Sequence, residues 1–308
     1  MNNCYTTSVR PFYFAVVIVL CLCCSYGNVR AQQDNKAGAL IIRFSSSYTS
    51  FPDDKRLNGH THDSLFYDAA AHYRDSSVML LIPERFKAIG KKVDIVFWFH
   101  GWHNNIDTAL QYYHLASQFV QAKRNAVLVL AESAKNAADS YGGKLEKDSV
   151  FLWLLNDVLN HLKQHNIIPA KGRAGNILLA GHSGAYRVIA YMLQNGCVDV
   201  KQVLLFDALY SETDKYIAWI KRDAKHEFTH LFTNRGGGTD EVSFNMMADL
   251  KKQDIPFSLF EEQALNASLL REQRINFIHS IREHNDIINE PDNFRFFIEN
   301  CSFLKKTR

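Results

Sequence analysis

Short runs of mostly apolar residues recur along the chain, separated by stretches whose apolar positions fall three or four apart. The runs are Ala39–Phe44, Val78–Ile82, Val93–Phe99, Ala126–Ala131, Asn176–Ala180, Val203–Phe206, Phe228–Thr233 and Ile275–His279. Strands that are apolar throughout, rather than at alternate positions, belong in a sheet covered on both faces. Between them, Thr108–Ala122, Val150–Leu162, Tyr186–Leu193, Tyr216–Ile220 and Phe244–Leu250 carry helical spacing. Alternating strands and helices imply parallel strands joined by right-handed crossovers. The pattern therefore predicts an α/β fold: a mostly parallel sheet of about eight strands with helices on both faces. No helix separates the first two strands, so they are expected as an antiparallel lead-in. Leu57–Ser77 is polar and reads as a loop with room for one helical turn. Ile255–Gln273 reads as an extra helical segment near the site. An acidic and aromatic tail closes the chain.

The first thirty-one residues follow another pattern. Arg10 precedes an almost wholly apolar run from Phe12 to Cys24, and Val29-Arg30-Ala31 places small residues where a signal peptidase reads. The segment contains no acid, and the run is short for a bilayer span. It reads as a signal peptide over residues 1–31, with cleavage after Ala31 and a secreted or periplasmic product. A lipid anchor at Cys21, Cys23 or Cys24 would need a small residue before the cysteine, where Leu or Cys stands instead. No linker rich in Pro or Gly divides the remainder, so residues 32–308 read as a single domain.

Removing the leader takes Arg10 and Arg30 with it. The formal charge of +3 then falls by two to +1. A near-neutral protein has no bulk attraction for nucleic acid or an anionic membrane, and after cleavage no stable membrane insertion is expected. Only Cys197 and Cys301 outlast the leader; they can pair or stay free, and two cysteines make no disulfide scaffold.

Asn176–Ala180 runs directly into Gly181-His182-Ser183-Gly184-Ala185, where a helical pattern begins. A sharp turn from a buried strand into a helix leaves no room for neighbouring side chains, and Gly181 and Gly184 supply that room. The turn lifts Ser183 to the carboxyl edge of the sheet, where open α/β folds bind ligands. Free N–H groups and the positive dipole end of the following helix face the same spot. This is the G-x-S-x-G nucleophile elbow, with Ala185 in the last position. The bland alternative is a strand–helix turn with a capping serine.

His100-Gly101-Trp102 follows the strand Val93–Phe99 in the same way. With these two motifs in this element order, roughly Ala39 to Asn289 resembles the α/β-hydrolase superfamily, in the manner of its serine esterases and lipases. The resemblance implies a Ser-His-Asp catalytic triad with Ser183 as nucleophile. It implies that the backbone N–H groups of Trp102 and Gly184 form the oxyanion hole, with His100 bracing the loop. The family order of serine, acid, histidine points to His284, in the polar loop after the last strand, as the base. His279 lies inside that strand and is expected to be buried or structurally bonded. Asp207, at the end of the strand after the elbow, is the preferred acid. Asp240, beyond Gly236-Gly237-Gly238, is the alternative, since the glycines would let that loop bend back.

His103, Asn104 and His182 are candidate substrate contacts, although simple loop hydrogen bonding explains His103 equally. Glu132 is expected either to line the pocket or to cap. Gly59-His60-Thr61-His62-Asp63 lacks a further histidine and reads as a surface loop, so no metal is implied, and no organic cofactor. Fewer than about twenty residues join Tyr210 to Phe228, which excludes a large lid there and suggests an open site. The reading is an exported serine hydrolase acting on a small or polymeric ester, thioester or amide. The alternative is a binding protein on a hydrolase scaffold.

Overall fold

The computed structural model describes residues 30–34 and 38–307. The apolar leader run and its cysteines lie outside the described residues. Strands β1 (Arg30–Asp34) and β2 (Ala39–Ser45) come first. A small hairpin follows, β3 (His60–His62) with β4 (Leu65–Tyr67), and then the one-turn helix α1 (Ala69–His72). Next come β5 (Ser77–Pro83), β6 (Lys92–Phe99), α2 (Ile106–Tyr112), α3 (Leu115–Gln121) and β7 (Ala126–Ala131). The central part runs α4 (Val150–Gln164), β8 (Arg173–His182), α5 (Tyr186–Asn195), β9 (Val200–Phe206) and α6 (Thr213–Arg222). The chain closes with β10 (Glu227–Thr233), α7 (Thr239–Lys252), β11 (Ser258–Glu261), β12 (Ile275–Ser280) and α8 (Asn293–Asn300).

Ten strands form one sheet in the order β1-β2-β5-β7-β6-β8-β9-β10-β12-β11. The first three pairings, β1 with β2, β2 with β5 and β5 with β7, are antiparallel. All later pairings are parallel. The eight expected strands are all present, and the antiparallel lead-in is the β2–β5 pair. The two additional strands, β1 and β11, sit at opposite edges of the sheet. Five- and four-residue edge strands carry too little apolar pattern to stand out in sequence.

Alternation along each strand divides the core in two. On β6, Val93, Ile95, Phe97 and Phe99 face a cluster built with α4, α5, α6 and α7. Val96 and Trp98 face the opposite cluster, built with α2, α3 and α8. Both faces are therefore covered, which is why these strands are apolar throughout. Each fully buried Leu or Phe contributes about 1.5–3 kcal/mol.

Three local expectations need correction. Thr108–Ala122 is not one helix: His114 takes a left-handed φ of 50° and separates α2 from α3. Leu57–Ser77 carries the β3–β4 hairpin as well as the one-turn helix α1. Ile255–Gln273 is not a helical segment beside the site but holds the edge strand β11 and two short 3-10 turns. The gap from Tyr210 to Phe228 is taken up by α6, leaving no space for a large lid in that connection. Cys197 is exposed and Cys301 buried, and both thiols are free. Among the described residues no helix is long and apolar enough to cross a membrane.

Candidate active site

The carboxyl ends of β6, β8, β9, β10 and β12 converge on one rim, the usual location of ligand sites in open α/β sheets. β8 ends at His182 and the chain turns at once into helix, holding Ser183 in the left-handed region at φ 54°. A non-glycine residue there is uncommon and costs about 1 kcal/mol. The turn is too tight for larger neighbours. A methyl on Gly181 would come 2.7 Å from the Ala185 side chain. Ala185 itself is buried in the core, so alanine at the last motif position is accommodated.

Two further side chains, Asp207 and His284, stand on the same rim. Asp207 follows β9, is wholly buried and has a φ of 43°. Its carboxylate accepts a hydrogen bond from the Thr233 N–H at 3.2 Å and another from the Thr239 hydroxyl. It also accepts from His284 Nδ1 at 2.5 Å. Burial pushes the Asp207 carboxyl up, but the bonds from His284 and Thr239 outweigh it and hold the group below its usual range. Because Nδ1 donates to Asp207, the Nε2 lone pair of His284 is left free. His284 and Ser183 border the same cavity of about 730 Å³. No hydrogen bond joins them directly among the described residues. Such bonds commonly close only when substrate is bound. The Tyr210 phenol interacts with Ser183, and burial and the Asp207 charge raise it above its usual range, so it stays protonated.

The loop after β6 lies against the serine. A Cβ on Gly101 would stand 2.5 Å from Ser183 Cβ, so only glycine permits this approach. His103 N–H is committed to the Ala137 carbonyl at 3.0 Å, whereas Trp102 N–H has no backbone partner among the described residues. His100 braces the loop from beneath: its ring nitrogens meet the Gly101 carbonyl at 2.8 Å and Glu132 at 2.5 Å. Glu132 also accepts the Ile106 N–H at 3.3 Å. Of its two expected roles, Glu132 therefore has the bracing and capping one.

A comparison with protein-family models finds no match, and neither does one with curated protein sequences. Solved structures do match. An S-formylglutathione hydrolase from Agrobacterium tumefaciens superposes with a TM-score of 0.51 at 10% identity, covering 88% of this chain and 98% of that one. The fluorophosphonate-binding serine hydrolase F of Staphylococcus aureus gives 0.50 at 12%, covering 85% and 99%. A feruloyl esterase module from Clostridium thermocellum, complexed with sinapinate, gives 0.50 at 10%, covering 88% and 93%. This chain has the α/β-hydrolase fold. At such identities the likeness carries the fold alone.

Within this hydrolase fold, the other expected residues are distributed unevenly. Asp240 does not approach the cavity. It lies in the first turn of α7, where its charge complements the helix dipole. The glycine run has a different task from bending an acid inward. A Cβ on Gly237 would come 2.1 Å from Asp207 Oδ2, so the run lets the backbone roof the buried carboxylate. Gly237→Ala is expected to displace Asp207 and lower kcat about 100-fold with KM little changed. Steady-state kinetics check this.

His103 and Asn104 line the cavity as expected. His182 borders it too but is almost wholly buried. Its Nε2–H donates to the His284 carbonyl at 3.0 Å and its Nδ1 accepts from the Tyr113 hydroxyl at 3.0 Å. Both nitrogens are occupied, so His182 holds the His284 loop and has none left for a ligand. His279 pairs with Glu261 at 2.8 Å, away from the cavity. His62 pairs with Asp63 at 3.3 Å, within the β3–β4 hairpin. The residues that sequence reasoning missed are Tyr113, Tyr210, Thr239 and His230. Of these only His230 left a signal, a polar residue inside a buried strand. Its Nε2 accepts the Ala208 N–H at 3.3 Å and its Nδ1 meets Ser243 at 3.1 Å.

Burial pushes His182 and His230 each down to about 3. Both are therefore neutral in the folded protein across the range where an unfolded histidine, with a pKa of about 6.5, takes up a proton. Their folded values are depressed. The stability they contribute is present above about pH 6.5 and is lost as pH falls from there toward the folded values. Urea denaturation is expected to show stability declining with a limiting slope of about 2.7 kcal/mol per pH unit for the two protons. The slope should halve in His230→Gln.

Proposed function

We propose that the chain is an exported serine hydrolase that cleaves an ester, thioester or amide. The Ser183 hydroxyl attacks the carbonyl carbon while His284 Nε2 takes its proton. Asp207 holds His284 in the tautomer with the proton on Nδ1 and stabilises the imidazolium that forms. The N–H groups of Trp102 and Gly184 stabilise the oxyanion of the tetrahedral intermediate. Its collapse passes the proton from His284 to the leaving group. Water, activated by the same imidazole, then releases the acid from Ser183 and restores the serine.

The observation that carries this reading is the 2.5 Å contact between His284 and the buried Asp207, at the wall of a cavity that Ser183 also lines. An imidazole oriented by a carboxylate and bordering one cavity with a left-handed serine is more than a capping turn needs. The neighbours described as serine hydrolase and esterase lend the reading support. A fluorophosphonate probe tests it. Labelling of the wild type that disappears in Ser183→Ala supports the enzyme. A folded wild type that stays unlabelled favours a binding protein on this scaffold. Export rests on the leader sequence, and mass spectrometry of the mature chain should find Gln32 at its amino end.

A further inference from the structure

The cavity beside Ser183 has an unusual lining. None of its residues carries a permanently charged side chain, and none is Leu, Ile, Val or Met. Its apolar surface comes from the rings of Trp102, Tyr112, Tyr113, Tyr186 and Tyr210. The rest are three histidines, His103, His182 and His284, and small groups without charge, such as Asn104, Ser140 and Asn285. Asp207, which touches His284 at the wall, is fully buried and roofed by Gly237, so no carboxylate reaches a ligand.

Among the rings, Trp102 is held as a plate. Its Nε1–H donates to the Ser140 hydroxyl at 2.7 Å. Its Cδ1 lies so close to Gly184 that a methyl there would come within 2.5 Å. The His62 ring of the β3–β4 hairpin meets it edge-on with centroids 4.8 Å apart. Yet the residue stays 41% exposed. A large aromatic fixed on three sides and left open beside the reacting serine is a surface prepared for stacking.

We infer that this cavity selects uncharged esters with an aromatic ring next to the scissile bond, and that the ring lies on the Trp102 indole. The inference rests on the serine hydrolase reading and names its substrate class. A long alkyl chain is disfavoured because the lining offers it no aliphatic channel. A ligand bearing a carboxylate or phosphate is disfavoured because it would lose water and find no Lys or Arg in the lining. A cavity of about 730 Å³ accommodates a ring together with the ester and its second substituent.

The test compares kcat/KM within two pairs of esters of equal carbon number. Methyl 3-phenylpropanoate against methyl nonanoate places the ring on the acid side, and benzyl acetate against heptyl acetate places it on the alcohol side. At least one pair should favour the ring by about 10-fold. Adding a para-carboxylate to the favoured substrate should lower kcat/KM by about 100-fold. Trp102→Leu should bring the ratio within the favoured pair close to one, while Trp102→Phe keeps it. The ratio is taken within a single variant, so a general loss of activity cancels. Equal values in both wild-type pairs, or a ratio that survives Trp102→Leu, overturns the inference while leaving hydrolysis intact. If Trp102→Leu does not fold, the wild-type pairs and the charged ester decide alone. Calorimetry of Ser183→Ala with 3-phenylpropanamide separates the two claims. Binding that exceeds that of nonanamide, in a protein whose wild type hydrolyses nothing, would uphold the ring site and reject the hydrolase.

Discussion

Replacing Ser183 by alanine is expected to lower kcat by about four to six orders of magnitude and to leave the fold intact. The substitution removes one oxygen from a half-buried position and adds nothing to a turn that has no spare room. Stability should change by less than about 0.5 kcal/mol, read as an unchanged denaturation midpoint. The oxyanion donors of Trp102 and Gly184 survive in the variant, so a residual rate above that in water should persist. Retention of activity within a factor of ten would place the nucleophile elsewhere. Ser140 is then the first suspect, since it borders the same cavity, although its hydroxyl already accepts the Trp102 indole Nε1–H.

Asp207→Asn should lower kcat by about 10⁴-fold, because an amide offers N–H where the carboxylate offers a lone pair. His284 would then turn its unprotonated nitrogen toward position 207 and could no longer accept the serine proton on the other side. Asp240→Ala, in contrast, should alter kcat less than twofold, since Asp240 does no more than occupy the first turn of α7. Equal losses in the two variants would return the acid to the later loop. The same aspartate has a stability signature. Its folded carboxyl lies below the unfolded value of about 3.9. The stability it contributes is full above that value and is lost as pH falls through the lower folded one. Asp207→Asn should remove that part of the acid sensitivity and leave the histidine part, nearer pH 6, in place.

The frame of the molecule was legible because its strands are covered on both faces. Continuous apolar runs such as Val93–Phe99 and Ala126–Ala131 have no other stable setting, and each became a strand. The serine was legible because a tight strand–helix turn restricts positions 181, 184 and 185 around it to glycine and alanine. The acid was harder. Asp207 and Asp240 both follow strands, and which one meets His284 depends on how Gly237 passes over β9, a contact between distant parts of the chain. The same holds for Tyr113, Tyr210 and His230, each placed by a partner on another element of the fold. The break at His114 was hidden for a different reason: a left-handed histidine leaves the apolar spacing of α2 and α3 undisturbed.

The left-handed backbone at Ser183 sets shape-keeping against turnover at one position. Glycine would sit there more comfortably and would be inert. A library of variants screened for heat resistance alone should drift toward glycine at 183, whereas one screened for product should never leave serine. The divergence between those two populations would record how much thermal tolerance the protein forgoes to keep a reactive oxygen in view.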